Sequence, residues 1–447
     1  MPTFESEAHY LASLTPPSVA AGVGRRSVLK GALGAGAALS MPALLAACGG
    51  DDSGGGTSGK PTGTVTFGSN EAGGDVPQMR RDALVAAYEK QSDLKVKINA
   101  VDHNTFQENI NNYLQGNPDD VFSWFAGYRM QFFAERGLIG DVSDVWPIDG
   151  VGDAFKKAST GSDGKQYFVP DSNYPWVVLY RKSFWDERGY TAPTTYDEMV
   201  TLAQQMKSDG LIPFAFADKQ GWPAMGTFDI LNMRINGYDY HVNLMAGEES
   251  WDSPEVKSVF DQWRELLELS QPDALGRDWE EAAQSLVANE SGMFYLGLFA
   301  FEQFPEDERD DVAFFNFPEI DPSVGADAID APIDGYCMAA DPDNEDGAKD
   351  FLKFIPSVEA ANTLSEAGYP LIWANSNADL SALAPIQQEA AKFIAEQSSI
   401  AQFLDRDTRP DFASTVMIPS IQEFIKNPND VAGLTKKIEE QKKSIFV

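Results

Sequence analysis

Alternating and helical patterns of apolar residues follow one another along most of the chain. Thr64 to Phe67 alternates as a strand, and a Gly- and Asn-rich loop follows it. Arg80 to Gln91 has the apolar spacing of a helix, and residues 94–101 predict a second strand. After a further predicted helix at 106–114, the apolar run 120–125 suits a buried strand. Strands that alternate with helices in this way predict an α/β fold with a mostly parallel sheet.

The second half of the chain carries further helix signals. Thr195, with Glu198 three residues later, forms the pattern of a capping box, and the helix that it starts is predicted to end at Lys207. The other predicted elements of this half are helices at 251–269, 279–288 and 347–355 and a strand at 292–298. Because no long linker or internal repeat interrupts the pattern after residue 63, we expect two lobes that share crossing segments.

The beginning of the chain differs in composition from the rest. A pair of arginines at 25–26 precedes the Gly- and Ala-rich apolar run 31–47, which resembles a secretory signal peptide of the twin-arginine (Tat) type. The run is too short and too rich in glycine for a transmembrane helix. It ends in Leu-Ala-Ala before Cys48, which resembles a bacterial lipobox, so we expect 1–47 to be removed and Cys48 to be acylated. Residues 48–63, mostly Gly, Ser, Asp and Thr, then predict a flexible tether.

Composition and charge exclude several classes of function. The chain has 34 Lys and Arg residues against 68 Asp and Glu residues, a net charge of −34 that opposes binding to nucleic acids or to anionic lipid head groups. With 43% hydrophobic residues it is too apolar for a disordered acidic chain. Two cysteines and three histidines are too few for a disulfide framework or a usual zinc site, so we expect no metal and no cofactor. Cys337, in an apolar stretch, is expected to be buried and structural.

Several short segments, in a fixed order behind the lipobox and the tether, resemble a known family. Residues 167–185 (YFVPDSNYPWVVLYRKSFW) are similar to a segment of the carbohydrate-binding extracellular solute-binding proteins of ABC importers, family 1, the maltose-binding-protein-like group. Residues 193–198 (PTTYDE), 226–232 (GTFDILN) and 403–408 (FLDRDT) are similar to segments of a sugar-binding subgroup of that family. The resemblance covers about 64–447.

This resemblance implies an α/β fold of two interleaved lobes, the periplasmic-binding-protein or Venus-flytrap fold, with hinge segments that cross between the lobes. Mapped onto this chain, the first lobe comprises 64–173 plus 335–375, and the second comprises 174–334 plus 376–447. The ligand would lie in the cleft between them, where loops and helix N-termini follow the carboxyl ends of strands.

The function that the resemblance implies is capture and delivery of a sugar or oligosaccharide, without catalysis. The protein would be a monomeric lipoprotein on the outer face of the bacterial cytoplasmic membrane. It would deliver its carbohydrate ligand to the transmembrane permease subunits of an ABC importer that a separate ATPase powers. The chain contains no P-loop sequence, which is consistent with that division of labour.

A sugar site needs aromatic rings for the CH faces of the sugar and planar polar groups for its hydroxyls. The candidates at the ends of predicted strands are Asn70, Glu71, Trp124, Phe125, Gly297 and Phe299, and those at the predicted crossovers are Tyr174, Trp176, Asp334 and Gly335. Trp222 in a polar loop and Arg406 in an acidic turn complete the set. Trp222 is the strongest candidate for stacking, because the polar loop around it cannot easily bury an indole. Trp251, Trp263 and Trp279 lie in helical patterns and are expected to be core residues.

Structural roles remain open for several candidates. Asn70 precedes glycines, as turn residues often do, and Trp124 would also suit the core. The guanidinium of Arg406 suits vicinal hydroxyls or an acidic sugar, but its two aspartate neighbours would equally form an ion-pair cluster at a surface turn. His103 is expected to be a loop residue, with ligand contact the less favoured alternative.

Two other functions are considered. A secreted glycoside hydrolase also binds sugars and uses two carboxylates, but no acidic pair in this chain is marked by a hydrolase-like motif. A metal- or peptide-binding receptor on the same scaffold is disfavoured by the scarcity of histidine.

Overall fold

The computed structural model describes residues 61–72 and 75–446. The predicted signal peptide, the lipidation site Cys48 and most of the predicted tether lie outside the described residues. Within the described ranges, every helix is too short or too polar to span a bilayer.

The strands are short and lie in both halves of the chain. They are β1 Gly63–Ser69, β2 Leu94–Ala100, β3 Val121–Phe125, β4 Val169–Asn173, β5 Trp176–Arg181, β6 Ile212–Ala215, β7 Ser291–Gly297, β8 Val312–Phe315, β9 Ala328–Asp330, β10 Ile333–Met338 and β11 Ser399–Ala401. Those predicted from the sequence at 64–67, 94–101, 120–125 and 292–298 agree with β1, β2, β3 and β7 to within a few residues.

Helices cover the faces of the sheets. They are α1 Asp75–Gln91, α2 His103–Gln115, α3 Tyr128–Ala134, α4 Asp153–Ala158, α5 Lys182–Arg188, α6 Tyr196–Ser208, α7 Pro223–Asn236, α8 Tyr238–Met245, α9 Pro254–Leu267, α10 Trp279–Val287, α11 Glu345–Phe354, α12 Val358–Glu366, α13 Pro385–Glu396, α14 Leu404–Asp407, α15 Pro410–Phe412, α16 Ile418–Lys426 and α17 Val431–Ile445. The predicted capping box is confirmed at α6, where Thr195 Oγ1 accepts from the Glu198 N–H and Glu198 Oε2 accepts from the Thr195 N–H, each at 3.3 Å.

The two main sheets are mixed, which corrects the prediction of a mostly parallel sheet. The first has the order β2-β1-β3-β10-β4, and the second has the order β6-β7-β5-β8. In the first, β1 is parallel to β2 and β3, but β10 is antiparallel to both of its neighbours. In the second, β5 is antiparallel to β7 and β8. The antiparallel strands β5 and β10 each directly follow a segment in which the chain crosses from one half of the molecule to the other. Each therefore runs into its sheet from the end opposite to that of its neighbours.

Two lobes result from this topology. We call the elements packed around the five-stranded sheet the first lobe and those around the four-stranded sheet the second lobe. The chain crosses between them at residues 174–175, which join β4 to β5, and at 331–332, which join β9 to β10. It crosses a third time between α12, which packs in the first lobe, and α13, which packs in the second. The two-lobed α/β fold expected from the sequence is confirmed.

Each lobe has its own apolar core. The first lobe packs one cluster on each face of its sheet, one around Phe67 and one around Phe122. The second lobe has a larger core that contains Trp251 and Trp263, which are 0% and 1% exposed as their helical context predicts. Cys337 is buried, as predicted, in the first lobe. Because the cores are separate, the lobes can move relative to each other without exposing either core.

Candidate ligand-binding cleft

A cavity of about 740 Å³ opens between the two lobes. Its walls come from the loop after β1, the end of β3, both crossovers, the beginning of α10 and the segment of α14. The predicted ligand-binding residues that line it are Asn70, Glu71, Trp124, Phe125, Tyr174, Trp176, Trp222, Phe299, Asp334, Gly335 and Arg406. His103 also lines the cavity. The structure therefore brings together residues that lie more than 300 positions apart in the sequence.

Gly297 is the predicted residue that the structure does not place in the cavity wall. It is buried as the last residue of β7. A Cβ at this position would lie 2.3 Å from Cε1 of Phe299. The glycine therefore lets the Phe299 ring fold back over the end of the strand, and it is the ring that faces the cavity.

Three aromatic side chains of the second lobe form one wall, which we call the aromatic wall: Trp222, Trp279 and Phe299. The centroid of Trp222 lies 6.5 Å from that of Trp279 and 6.3 Å from that of Phe299, and the rings of Trp279 and Phe299 meet edge to face at 5.1 Å. All three are partly exposed to the cavity. They offer apolar ring surface to a ligand without losing their mutual packing.

Trp279 was predicted to be a core residue, and this prediction is wrong. It is the first residue of α10, it is partly exposed, and it lines the cavity beside Trp222. Helical periodicity identifies an apolar side chain that faces protein, but it does not distinguish the core from a cleft wall.

Trp176 forms the floor behind the aromatic wall. It is 2% exposed and stacks on Phe403, with the ring centroids 4.6 Å apart and the planes at 29°. A Cβ on Gly226 of α7 would lie 2.4 Å from Cζ3 of Trp176. The absence of a side chain at Gly226 therefore allows α7 to approach the indole and hold it in place.

Replacing Gly226 with alanine should lower the free energy of unfolding by about 1–3 kcal/mol, because the Trp176 ring must move or the helix must retreat. Urea denaturation followed by tryptophan fluorescence measures the loss of free energy of unfolding. The emission of the folded variant reports the displacement of the Trp176 ring. Gly276→Ala is the matched control, because no atom lies within 4 Å of a Cβ built at that position. If the Gly226→Ala variant and the wild type are equally stable, the close approach of α7 to Trp176 does not require glycine at position 226.

Arg406 lies in the cavity wall and is already paired. Its Nη1 donates to Asp334 Oδ1 at 2.8 Å, and its Nη2 donates to the Tyr174 hydroxyl at 3.3 Å. Its guanidinium carbon lies 4.0 Å from the centroid of Phe125. The surface cluster of Arg406 with its two aspartate neighbours that the sequence allowed is therefore not formed, because Arg406 is buried in the cleft wall and pairs with Asp334 of the other lobe. Since Asp334 neutralises Arg406, this guanidinium is a poor partner for an acidic ligand.

A second ion pair links the lobes next to the first. Arg129 of α3 donates through Nη1 to Asp405 Oδ2 at 2.9 Å and to Gln107 Oε1 at 2.8 Å. Its guanidinium carbon also lies 5.0 Å from the centroid of Trp124. The sequence analysis did not identify Arg129, because its partner is 276 residues away and neither residue follows a sugar-binding pattern.

The loop after β1 contributes neutral and paired polar groups. Glu71 forms an ion pair with Arg80 at 3.4 Å. Asn70 Nδ2 lies 3.4 Å from Nδ1 of His103. His103, which is the first residue of α2 and not a loop residue as expected, lines the cavity with an exposed side chain, and partial desolvation by the surrounding protein lowers its pKa to about 4. His103 is therefore neutral at physiological pH and can accept or donate a hydrogen bond.

Carboxylates without a cationic partner also line the cavity. Asp171, Glu280 and Glu302 form no ion pair with any described residue. Burial raises the pKa of each, and that of Asp171 reaches about 7. Burial therefore favours the neutral form of these groups, and each arginine that lines the cavity is paired with a carboxylate, which leaves no free cation for an anionic ligand.

Asp218 begins the loop that carries Trp222. Its side chain is 0% exposed, and its Oδ1 accepts from the Ala224 N–H at 3.0 Å. Its Oδ2 has no partner among the described residues. Burial raises the pKa of Asp218 to about 7. The position of the loop therefore depends on a carboxyl group that is costly to ionise.

Replacing Asp218 with asparagine should raise the free energy of unfolding at pH 8 by about 3–4 kcal/mol and by about 1 kcal/mol or less near pH 4.5. An unfolded aspartate has a pKa of about 3.9, so as pH rises from about 4 to 7 the folded wild type retains a proton that the unfolded chain has lost. The wild type loses stability over that range, and the variant does not. Urea denaturation across pH 4.5–8 tests this, and a difference independent of pH would contradict it.

No group of three or more His, Cys, Asp and Glu side chains that could hold a metal ion is found in residues 61–72 and 75–446. The polar groups of the cleft are instead paired with one another or directed at the cavity.

Comparison with known proteins gives one consistent result. The sequence model of the family described as bacterial extracellular solute-binding protein matches residues 79–362. The bacterial solute receptor AcbH, whose structure showed an exclusive substrate preference for β-D-galactopyranose, is 43% identical, with a TM-score of 0.84 over 86% of this chain and 100% of its own. An ABC transporter extracellular-binding protein of Pyrococcus horikoshii is 27% identical over 371 residues, 78% of either chain. Maltose-bound MalE3 of T. maritima shares the fold, with 16% identity and a TM-score of 0.68 over 86% of this chain and 100% of its own.

Proposed function

The chain belongs to the family of bacterial extracellular solute-binding proteins, and we propose that it binds a neutral sugar or oligosaccharide between its lobes for an ABC importer. The observation that carries this proposal is the cleft itself. It combines partly exposed tryptophan rings with hydrogen-bonding groups on both lobes, which are the two kinds of contact that a sugar requires.

We propose a neutral rather than an acidic ligand, because Arg406, Arg129 and Arg80 are each paired with a carboxylate. Asp171, Glu280 and Glu302 offer further carboxyl groups and no cation, so they do not favour a uronic acid either. β-D-galactopyranose is the first sugar to test, since it is the preference stated for a receptor that is 43% identical.

Binding would act through a shift between open and closed arrangements of the lobes. A ligand that contacts both lobes stabilises the closed arrangement over the open one, and the crossovers at 174–175 and 331–332 are the segments about which the lobes would turn. The closed form would then dock on the transmembrane permease subunits. Such a receptor performs no chemistry on the sugar, and we propose that this chain is not an enzyme.

We also propose that the protein is a monomeric lipoprotein held outside the cytoplasmic membrane. The Tat-type signal at 1–47, the lipobox cysteine Cys48 and the tether at 48–63 support this. We propose that the two lobes comprise 64–173 plus 335–375 and 174–334 plus 376–447, with the whole of β10 (Ile333–Met338) belonging to the first lobe because it pairs in the five-stranded sheet. Mass spectrometry of the protein from its membrane should find a diacylglycerol adduct on Cys48. An unmodified Cys48, or an intact residue 1–47 segment, would refute the anchor.

A thermal-shift screen tests the proposed ligand class. The panel is D-galactose, other neutral monosaccharides, xylo-, chito- and malto-oligosaccharides, D-galacturonate, and amino acids. A neutral sugar at 100 times its dissociation constant should stabilise the protein by about 2.7 kcal/mol. Stabilisation by amino acids alone, or by D-galacturonate in preference to D-galactose, would overturn the proposal. Incubation of labelled oligosaccharides with the protein should leave them intact, and their cleavage would favour the glycoside hydrolase instead.

A further inference from the structure

Glu280 has an unusual position in the cleft. It is the second residue of α10, directly after Trp279 of the aromatic wall, and it lines the cavity. Its Oε2 is shielded from water yet has no hydrogen-bond partner among the described residues. Leaving a charged acceptor buried and unpaired is costly, so such a group needs an explanation.

The neighbouring acidic residues of the same helix turn are satisfied. Asp278 accepts from Lys219 at 2.8 Å and from Gln220 at 2.7 Å. Glu281 Oε2 accepts from the Asp278 N–H at 3.0 Å and completes the capping box of α10. The helix end is therefore already capped, and Glu280 is not needed for that purpose.

We propose that Glu280 is a ligand-binding residue whose carboxylate turns into the cavity when a sugar stacks on the aromatic wall and accepts a hydrogen bond from one of its hydroxyls. This inference rests on the proposed sugar-binding function and assigns one of its contacts. The sugar would supply the donor that the ligand-free cleft does not, and a charged acceptor makes a stronger bond to a hydroxyl than a neutral one. Burial, which raises the pKa of Glu280, is consistent with an acceptor kept from water until the ligand arrives.

The test compares Glu280→Gln with the wild type by titration calorimetry with D-galactose, or with the strongest neutral sugar of the panel. The variant should bind about tenfold more weakly. Its ligand-free stability should be equal to or higher than that of the wild type, because the unpaired buried charge is removed. A purely structural role of Glu280 at the positive end of α10 predicts the opposite, a loss of ligand-free stability with unchanged affinity.

Glu281→Gln is the matched control, since it changes the adjacent carboxylate on the same turn, outside the cavity. It should bind sugar as the wild type does. Deoxy analogues of the same sugar identify the hydroxyl that Glu280 binds. The analogue that lacks this hydroxyl should bind the wild type more weakly than the parent sugar does, but it should bind Glu280→Gln as well as the parent sugar does. Affinity of Glu280→Gln within threefold of the wild type would overturn the inference and leave the proposed function intact. If the wild type binds no sugar, both are overturned.

Discussion

Replacing Trp222 with alanine should weaken sugar binding by about 100-fold. The indole is partly exposed in the cavity and forms the centre of the aromatic wall, within 6.5 Å of Trp279 and 6.3 Å of Phe299. Stacking of a ring-shaped ligand on an aromatic side chain contributes about 1–3 kcal/mol, and a loss of about 2.7 kcal/mol corresponds to 100-fold in affinity.

The ligand-free protein should change little in the same variant, by about 1 kcal/mol or less, because Trp222 meets Trp176 edge-on from the cavity side and is not itself buried. Titration calorimetry and urea denaturation measure the two effects separately. Trp263→Ala provides the contrast, since this 1% exposed core indole should cost about 3–5 kcal/mol of stability while the remaining folded protein still binds sugar. Equal losses of stability in the two variants would place Trp222 in the core and remove it from the site.

Replacing Arg406 with alanine should both abolish measurable sugar binding and lower the free energy of unfolding by about 2–4 kcal/mol. The side chain of Arg406 is only 8% exposed and holds Asp334 and Tyr174 in the cleft wall. Removal of Arg406 leaves Asp334 without its cation and the Tyr174 hydroxyl without its donor, so the cleft wall loses both its charge balance and the contact that holds its shape.

Arg409→Ala is the control for Arg406. It breaks the Arg409–Asp411 pair at 2.7 Å, which is more exposed, and should cost less than about 1 kcal/mol. Adding Asp334→Asn to Arg406→Ala should restore part of the lost stability, because the uncompensated charge is then removed as well. If Arg406→Ala proves as mild as Arg409→Ala, the ion pair between the lobes contributes nothing to the cleft.

Much of the cavity lining could be predicted from the sequence because many of its side chains lie at or directly after strand ends. Asn70 and Glu71 follow β1, and Trp124 and Phe125 end β3, so the carboxyl ends of parallel strands bring them to one edge of the first sheet. Tyr174 lies in the first crossover and Asp334 lies at the beginning of β10, directly after the second crossover, so their proximity to a predicted crossover is what identified them. Local patterns suffice for these positions, because the strand and the residue that follows it are adjacent in sequence.

The remaining contacts depend on tertiary structure and leave no local signal. Arg129 meets Asp405 only because α3 of the first lobe approaches α14 of the second. Trp279 has the spacing of a core residue, and its exposure follows from the position of α10 at the cleft. The antiparallel direction of β10 results from the crossing at 331–332. The alternation of strands and helices in the sequence does not predict this direction. Glu280 can be identified only from the tertiary structure, because the sequence does not show that its Oε2 lacks a hydrogen-bond partner.

The most direct test of the account is calorimetric titration of the purified protein with neutral sugars, beginning with D-galactose. The account predicts saturable binding of one sugar molecule per chain, with a negative heat-capacity change from burial of the aromatic wall and sugar recovered unchanged afterwards. Absence of saturable heat with every neutral sugar tested, or a continuing heat of reaction with new products, would contradict it.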